Sequence, residues 1–131
     1  MNYSAVFALG VGVFVIIFFA RIYLSRFKLI GEPNPARHVG DEKLLWQIFY
    51  FYSPRCSACK TITPVIEEHS KQYKQVSAVD ISTDLELAQQ FNVRATPTAV
   101  FIENDIVRDV QLGSGVSQTM KDFIEKHGST N

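Results

Sequence analysis

The segment Gln47–Tyr52 (QIFYFY) is apolar or aromatic at nearly every position, and it gives way through Ser53-Pro54-Arg55 to Cys56-Ser57-Ala58-Cys59. Such a run suits a central strand buried on both faces, which requires helices on both sides of a sheet. A helical pattern begins near Cys56, with Ile62, Val65, Ile66, His69 and Tyr73 recurring at spacings of three and four. The only two cysteines of the chain therefore stand at a strand-to-helix junction. That arrangement serves dithiol/disulfide exchange. A helix start offers unpaired N–H groups and a partial positive charge, and both favour a thiolate over a thiol. The second thiol, one turn on, can reach back to the first.

The rest of the chain supplies the partners that such a strand needs. Pro64 lies inside the helical pattern and predicts a kink. Val76–Ile81 reads as a second strand. Thr83-Asp84-Leu85-Glu86 fits a capping box, with Leu85, Ala88 and Phe91 on the inner face of a short helix. Thr98–Ile102 and Ile106–Leu112 flank Glu103-Asn104-Asp105 and read as a hairpin. Gly113 and Gly115 bracket a turn, and Ser117 is the expected cap of a last helix with Met120, Phe123 and Ile124 facing inward. Asp41–Trp46 reads as a short helix capped by Asp41. Strand, helix, strand, helix, hairpin, helix is an α/β sandwich built on one mixed sheet.

The N-terminus is of another kind. Ala5–Ala20 contains no polar or charged residue, and with Arg21 as an interruption the apolar stretch reaches Leu24. About 20 helical residues span roughly 30 Å, the thickness of a hydrocarbon core. A cleaved signal peptide would carry a basic start and a small-x-small cleavage site. Met1–Ser4 has no side-chain charge, and Arg21–Lys28 offers no such site. The expected organisation is a transmembrane anchor with a basic flank over residues 1–28, a linker over 29–40 stiffened by Pro33 and Pro35, and a folded domain over 41–131. The bilayer would be met through residues 5–24. Arg21, Arg26, Lys28 and Arg37 all follow the apolar run, so the positive-inside rule places the domain on the cytoplasmic side. An anchor carrying an exported redox domain is the competing arrangement.

Composition limits the chemistry. From Ala36 onward there are 10 basic and 12 acidic residues, so no basic face marks a nucleic-acid partner. Two cysteines are too few for a disulfide scaffold, and one C-x-x-C supplies two of the four ligands of a structural zinc site. No metal or other cofactor is expected beyond the redox-active Cys56–Cys59 pair.

Several motifs together resemble the thioredoxin family. They are the cysteine pair, Cys59-Lys60-Thr61-Ile62-Thr63-Pro64, Val79-Asp80-Ile81, Ala95-Thr96-Pro97-Thr98 and Leu112-Gly113. The resemblance covers about Leu44 to Lys126. It implies a thioredoxin-like sandwich, a central mixed β-sheet flanked by helices, preceded here by the N-terminal transmembrane helix. It also implies a cis bond at Thr96-Pro97 beside the cysteines. Thr96 and Pro97 then become substrate-binding residues, because an extended substrate segment can pair with the exposed backbone as an added strand. Cys56 is the expected nucleophile and Cys59 the resolving thiol. The implied partners are protein thiols and disulfides, with an electron donor or acceptor that the sequence does not identify.

Three positions depart from the family pattern. Tyr50 stands where a buried aspartate is usual, six residues before Cys56, and Ala78 stands where a lysine is usual. The carboxylate–lysine pair that can shuttle a proton to the second thiol is thus replaced on both sides. Arg55 precedes Cys56, and a cation within ~4–6 Å would lower the thiol pKa. The expected function is that of a membrane-anchored thiol–disulfide oxidoreductase. Its rivals are a binding or scaffold protein on the same fold, and a carrier of a thiophilic metal held by two thiolates.

Overall fold

A computed structural model describes residues 2–36 and 44–129. In chain order the elements are α1 (Tyr3–Ser25), β1 (Trp46–Tyr52), α2 (Ser57–Gln72), β2 (Val76–Asp80), α3 (Leu85–Gln90), β3 (Thr98–Glu103), β4 (Ile106–Leu112) and α4 (Val116–Gly128). The strands form one mixed sheet in the order β2-β1-β3-β4. β1 runs parallel to β2 and antiparallel to β3, and β3 and β4 form a hairpin.

Period-two alternation along the central strands sorts the core into two layers. Ile48 and Tyr50 of β1, with Ala99 and Phe101 of β3, meet Ile62 and Ile66 of α2 and Val116, Met120 and Ile124 of α4. The intervening Phe49 and Phe51, with Val100 and Ile102, meet Ala88 and Phe91 on the opposite side. β1 is apolar at both parities because both of its faces are covered. The hairpin turns at Asn104 and Asp105, with φ of 51° and 66°. Both residues take the left-handed conformation that short polar side chains tolerate and that two-residue hairpin turns need.

Four sequence expectations are revised. The helix after β2 is capped by Asp84, whose carboxylate accepts from the Leu87 N–H at 3.2 Å. Thr83 does not cap it, because its hydroxyl donates to the Asp80 carbonyl and closes the turn leaving β2. The helix therefore starts one residue later, and Leu85 falls on its outer side, 58 % exposed. Ser117 lies inside α4 rather than capping it. The chain enters α4 from a 3-10 turn over Gly113–Gly115 with Gly115 already helical, so no extended cap residue precedes the helix. The Asp41–Trp46 helix falls largely outside the described residues, and Trp46 itself opens β1.

The described part of the expected linker is docked along β4. Gly31 N–H donates to the Val107 carbonyl, Val107 N–H to Glu32, and Asn34 N–H to Asp105, at 2.8, 3.0 and 2.9 Å. Leu29 and Ile30 pack onto the second core layer. Asn34 is buried, donating from Nδ2 to Gln47 Oε1 and Asp105 Oδ1, while its Oδ1 accepts from Ala36 N–H. Pro33 bridges to Ile106 at the edge of the sheet, where a missing N–H costs no ladder bond. The segment that leaves α1 thus covers an edge strand that would otherwise stay unpaired.

α1 contrasts with the rest. It is 23 residues long with a mean hydropathy of 2.5 over its most apolar window, and none of that window is buried. By length and composition it can cross a membrane.

Candidate active site

The C-terminal end of β1 runs into Ser53-Pro54-Arg55, where Cys56 N–H donates to the Ser53 carbonyl at 3.1 Å and Arg55 N–H to Ser53 Oγ at 3.3 Å. This tight loop delivers Cys56 as the N-cap of α2 in extended conformation. Its sulfur accepts from the Cys59 N–H at 3.2 Å, one of the orphan donors at the helix start. Cys56 and Cys59 are joined by a disulfide. Cys56 is half-buried, whereas Cys59 is 2 % exposed and sits behind it. The more exposed cysteine of the pair is therefore the one at the helix tip.

The Thr96–Pro97 loop closes the other side. The Cys56 sulfur lies 3.5 Å from the Thr96 carbonyl oxygen, and the Thr96–Pro97 peptide bond is cis. Two contacts hold the loop. Thr98 Oγ1 donates to the Ala95 carbonyl at 2.6 Å, and Gly113 N–H donates to the Pro97 carbonyl at 3.0 Å. Gly113 has φ of 72°, a conformation that side chains disfavour, which accounts for glycine at the end of β4. Ala95 is exposed and Thr96 half-exposed.

Behind Cys59 the family's proton pair is replaced by aromatic packing. Tyr50 is fully buried, stacks on Tyr52 with ring centroids 5.8 Å apart, and shares a hydrogen bond of 3.0 Å with Thr63 Oγ1. Burial pushes the Tyr50 phenol above its ordinary value, against a smaller lowering by the Thr63 hydrogen bond. Burial also raises Tyr52, with the carboxylates of Asp80 and Glu67 adding to it. Neither phenol is a base at neutral pH. A groove of about 260 Å³, lined by Tyr52, Ser53, Pro54, Lys60, Thr63 and Pro64, opens beside Cys59. Thr63 was missed in the sequence, although its place four residues after Cys59 puts both on one helix face.

Arg55 is exposed at the loop tip beside Cys56, and Lys60 is exposed on α2. His69 is half-buried on α2, on the stripe where the spacing put it. Among the described residues no three His, Cys, Asp or Glu side chains converge to hold a metal ion.

The sequence model of the thioredoxin family matches residues 37–126. The chain belongs to the thioredoxin family. The C-x-x-C disulfide stands at the N-terminal tip of α2 within the matched domain. The chain is 35 % identical over 80 residues to the chloroplastic M-type thioredoxin of Spinacia oleracea, covering 59 % of this chain and 44 % of that protein. It is 34 % identical over 80 residues to the thioredoxin of Haemophilus influenzae, covering 59 % and 75 %. The chain thus spans less than half the length of the spinach relative. Among solved structures, Schistosoma mansoni thioredoxin superposes with a TM-score of 0.56 at 28 % identity, covering 66 % of this chain and 81 % of that one. Fasciola hepatica thioredoxin gives 0.53 at 27 %, covering 63 % and 80 %.

Proposed function

We propose that this thioredoxin is a single-pass membrane protein that exchanges disulfides with protein substrates through Cys56 and Cys59. The observation that carries the reading is the placement of the Cys56 sulfur. It is accessible at the N-cap of α2, bonded to the buried Cys59 sulfur, and 3.5 Å from the backbone of Thr96. In the reduced protein the Cys56 thiolate attacks one sulfur of a substrate disulfide and releases the other as a thiolate. The Cys59 thiol then gives up its proton and attacks Cys56, which closes the disulfide and frees the second substrate thiol. Thr96 and Pro97 position the substrate, whose extended segment pairs with the Thr96 backbone. With Tyr50 unable to accept a proton at neutral pH, the Cys59 proton leaves through water in the groove beside Thr63. Arg55 adds a screened positive charge near Cys56.

The membrane reading rests on α1. A helix apolar on all sides, with no protein packed around its apolar stretch, finds its complement in lipid. The basic residues Arg21, Arg26 and Lys28 follow its apolar stretch, which favours a cytoplasmic domain. There the chain would reduce disulfides of membrane-proximal or soluble proteins, and be reduced in turn by a donor of that compartment. The domain would begin with the docked segment rather than after a free tether.

Substitution separates the roles. Cys59→Ser should accumulate a covalent complex with substrate proteins, and Cys56→Ser should not. Full disulfide-reducing activity in both variants would refute the exchange mechanism. Retention of the chain in the pellet after alkaline carbonate washing tests the anchor. A C-terminal reporter active only outside the cytoplasm would reverse the assigned side.

A further inference from the structure

A second groove, about 440 Å³ in volume, lies between the end of α1 and the loop that follows α3. Its walls are Phe18, Arg21 and Ile22 of α1, Lys28 just beyond, and Arg94. Three of these five residues are cations and none is acidic. Arg21 and Lys28 come from the anchor flank, whereas Arg94 comes from the folded domain. That domain is slightly acidic as a whole, with 10 basic against 12 acidic residues from Ala36 onward. The convergence is therefore local. Three cations with no acidic neighbour around one groove suit an anion placed among them.

The groove is also half apolar. Phe18 and Ile22 are one turn apart on the face of α1 that carries Arg21 between them, where the apolar stretch gives way to basic residues. On a membrane helix that boundary lies at the depth of lipid headgroups. Arg94 is exposed, and its Nε donates to Asn92 Oδ1 at 3.3 Å, with Asn92 in a left-handed turn at φ of 51°. A neighbouring cleft lined by Ile22, Ser25 and Leu29 on one side and Phe91, Val93 and Ala95 on the other seats the end of α1 against the same loop.

We propose that this groove binds the headgroup of an anionic phospholipid. The phosphate would lie among Arg21, Lys28 and Arg94, and the acyl chains along Phe18 and Ile22. The proposal rests on the membrane reading of α1. It adds a consequence for the active site. Arg94 is two residues before Thr96, so their Cα atoms are at most about 7 Å apart. A lipid held by Arg94 would fix the substrate loop, and with it Cys56, near the bilayer surface. The disulfides then in reach are those in membrane-proximal segments of partner proteins.

The test uses the full chain in nanodiscs of phosphatidylcholine alone or mixed with a minority of phosphatidylglycerol. Lipids retained on release are counted by native mass spectrometry. The expected result is preferential retention of phosphatidylglycerol, weakened about fivefold in Arg94→Gln and largely kept in Arg94→Lys. Equal retention of the two lipids, or no change in Arg94→Gln, would overturn the proposal. So would inorganic phosphate that binds the detergent-solubilised chain as tightly as phosphatidylglycerol does, since the groove would then be a site for free phosphate. Carbonate washing separates the failures. Release of the chain would overturn both the anchor and the lipid site, whereas a chain held in the pellet with Arg94-independent lipid retention would overturn the lipid site alone.

Discussion

Tyr50 and Ala78 are paired directly across the parallel β1–β2 ladder. They occupy the two positions where the family resemblance places a carboxylate and a lysine, so the two departures are a single exchange. Ala78 packs against the core layer that buries Tyr50. A lone charge at either position would face that layer without its counterion, and removing one partner of a buried pair is costly. Replacing both with apolar-compatible groups leaves no uncompensated charge. The consequence is chemical, because in the proposed exchange neither position offers a group that takes the Cys59 proton at neutral pH.

Burial of the Tyr50 phenol makes stability depend on alkaline pH, with the Thr63 hydrogen bond opposing the effect. The folded phenol holds its proton above the ordinary value of 10.0, while the unfolded phenol releases it there. The folded state then binds more protons, so the slope of stability with pH is negative. The contribution is intact below pH 10.0 and is lost as pH rises toward the higher folded value. Tyr50→Phe should flatten that loss, leaving the share of Tyr52, which is raised as well. At neutral pH the same variant should cost about 1 kcal/mol through the missing hydrogen bond. Urea denaturation at both pH values measures the two effects. An unchanged alkaline slope would show that Tyr50 titrates alike in both states.

Arg55 should be a minor influence on Cys56. The guanidinium is exposed, whereas the Cys59 N–H is fixed 3.2 Å from the sulfur. The reduced Cys56 thiol is expected to titrate below the free-thiol value of about 8.5, as thiols at helix N-termini do. Arg55→Ala should raise it only slightly, and less at high salt. Thiolate absorbance titration decides between the charge and the helix tip. A return to the free-thiol value in Arg55→Ala would assign the activation to Arg55.

Asn34 should clamp the pre-domain segment. Asn34→Ala removes its bonds to Gln47, Asp105 and the Ala36 N–H. A loss of about 1–3 kcal/mol is expected where buried partners are left unmade. Amide exchange should quicken at Gly31, Asn34 and Val107 while the β1–β3 amides stay protected. Uniform protection across the domain would mean that the segment does not depend on Asn34.

Met120 joins α4 to the sheet and is fully buried in the α2–α4 layer. Met120→Ala should destabilise the domain by about 2–5 kcal/mol. Chemical denaturation with unchanged m-value would report this as a loss of packing rather than a change of fold.

Much of this architecture was written in local patterns. Cys56 and Cys59 at a strand-to-helix junction, the nearly all-apolar β1 and the Asn104-Asp105 hairpin needed no tertiary information. Their signals lie within a few residues of chain, in periodicity, turn chemistry and helix polarity. The apolar span of α1 was equally plain, being a matter of length and composition. Where two local solutions competed, the sequence did not choose between them. Thr83 and Asp84 are both good caps, and the turn leaving β2 assigned the role to Asp84. Residues 29–40 read as a linker stiffened by Pro33 and Pro35, and its place along the open edge of β4 was not legible, because unpaired strand groups are satisfied by any chain that reaches them.

The sequence by itself determined the reactive pair, the strand that presents it and the helix that precedes the domain. Only the tertiary structure decided which residues surround that pair. Thr96 comes from the loop entering β3, Tyr50 and Ala78 meet through strand register, and Arg94 reaches the α1 flank across most of the chain. Those contacts depend on how separate elements pack. Packing is set by the joint shape and burial of many side chains, a long-range property that no short window of sequence contains.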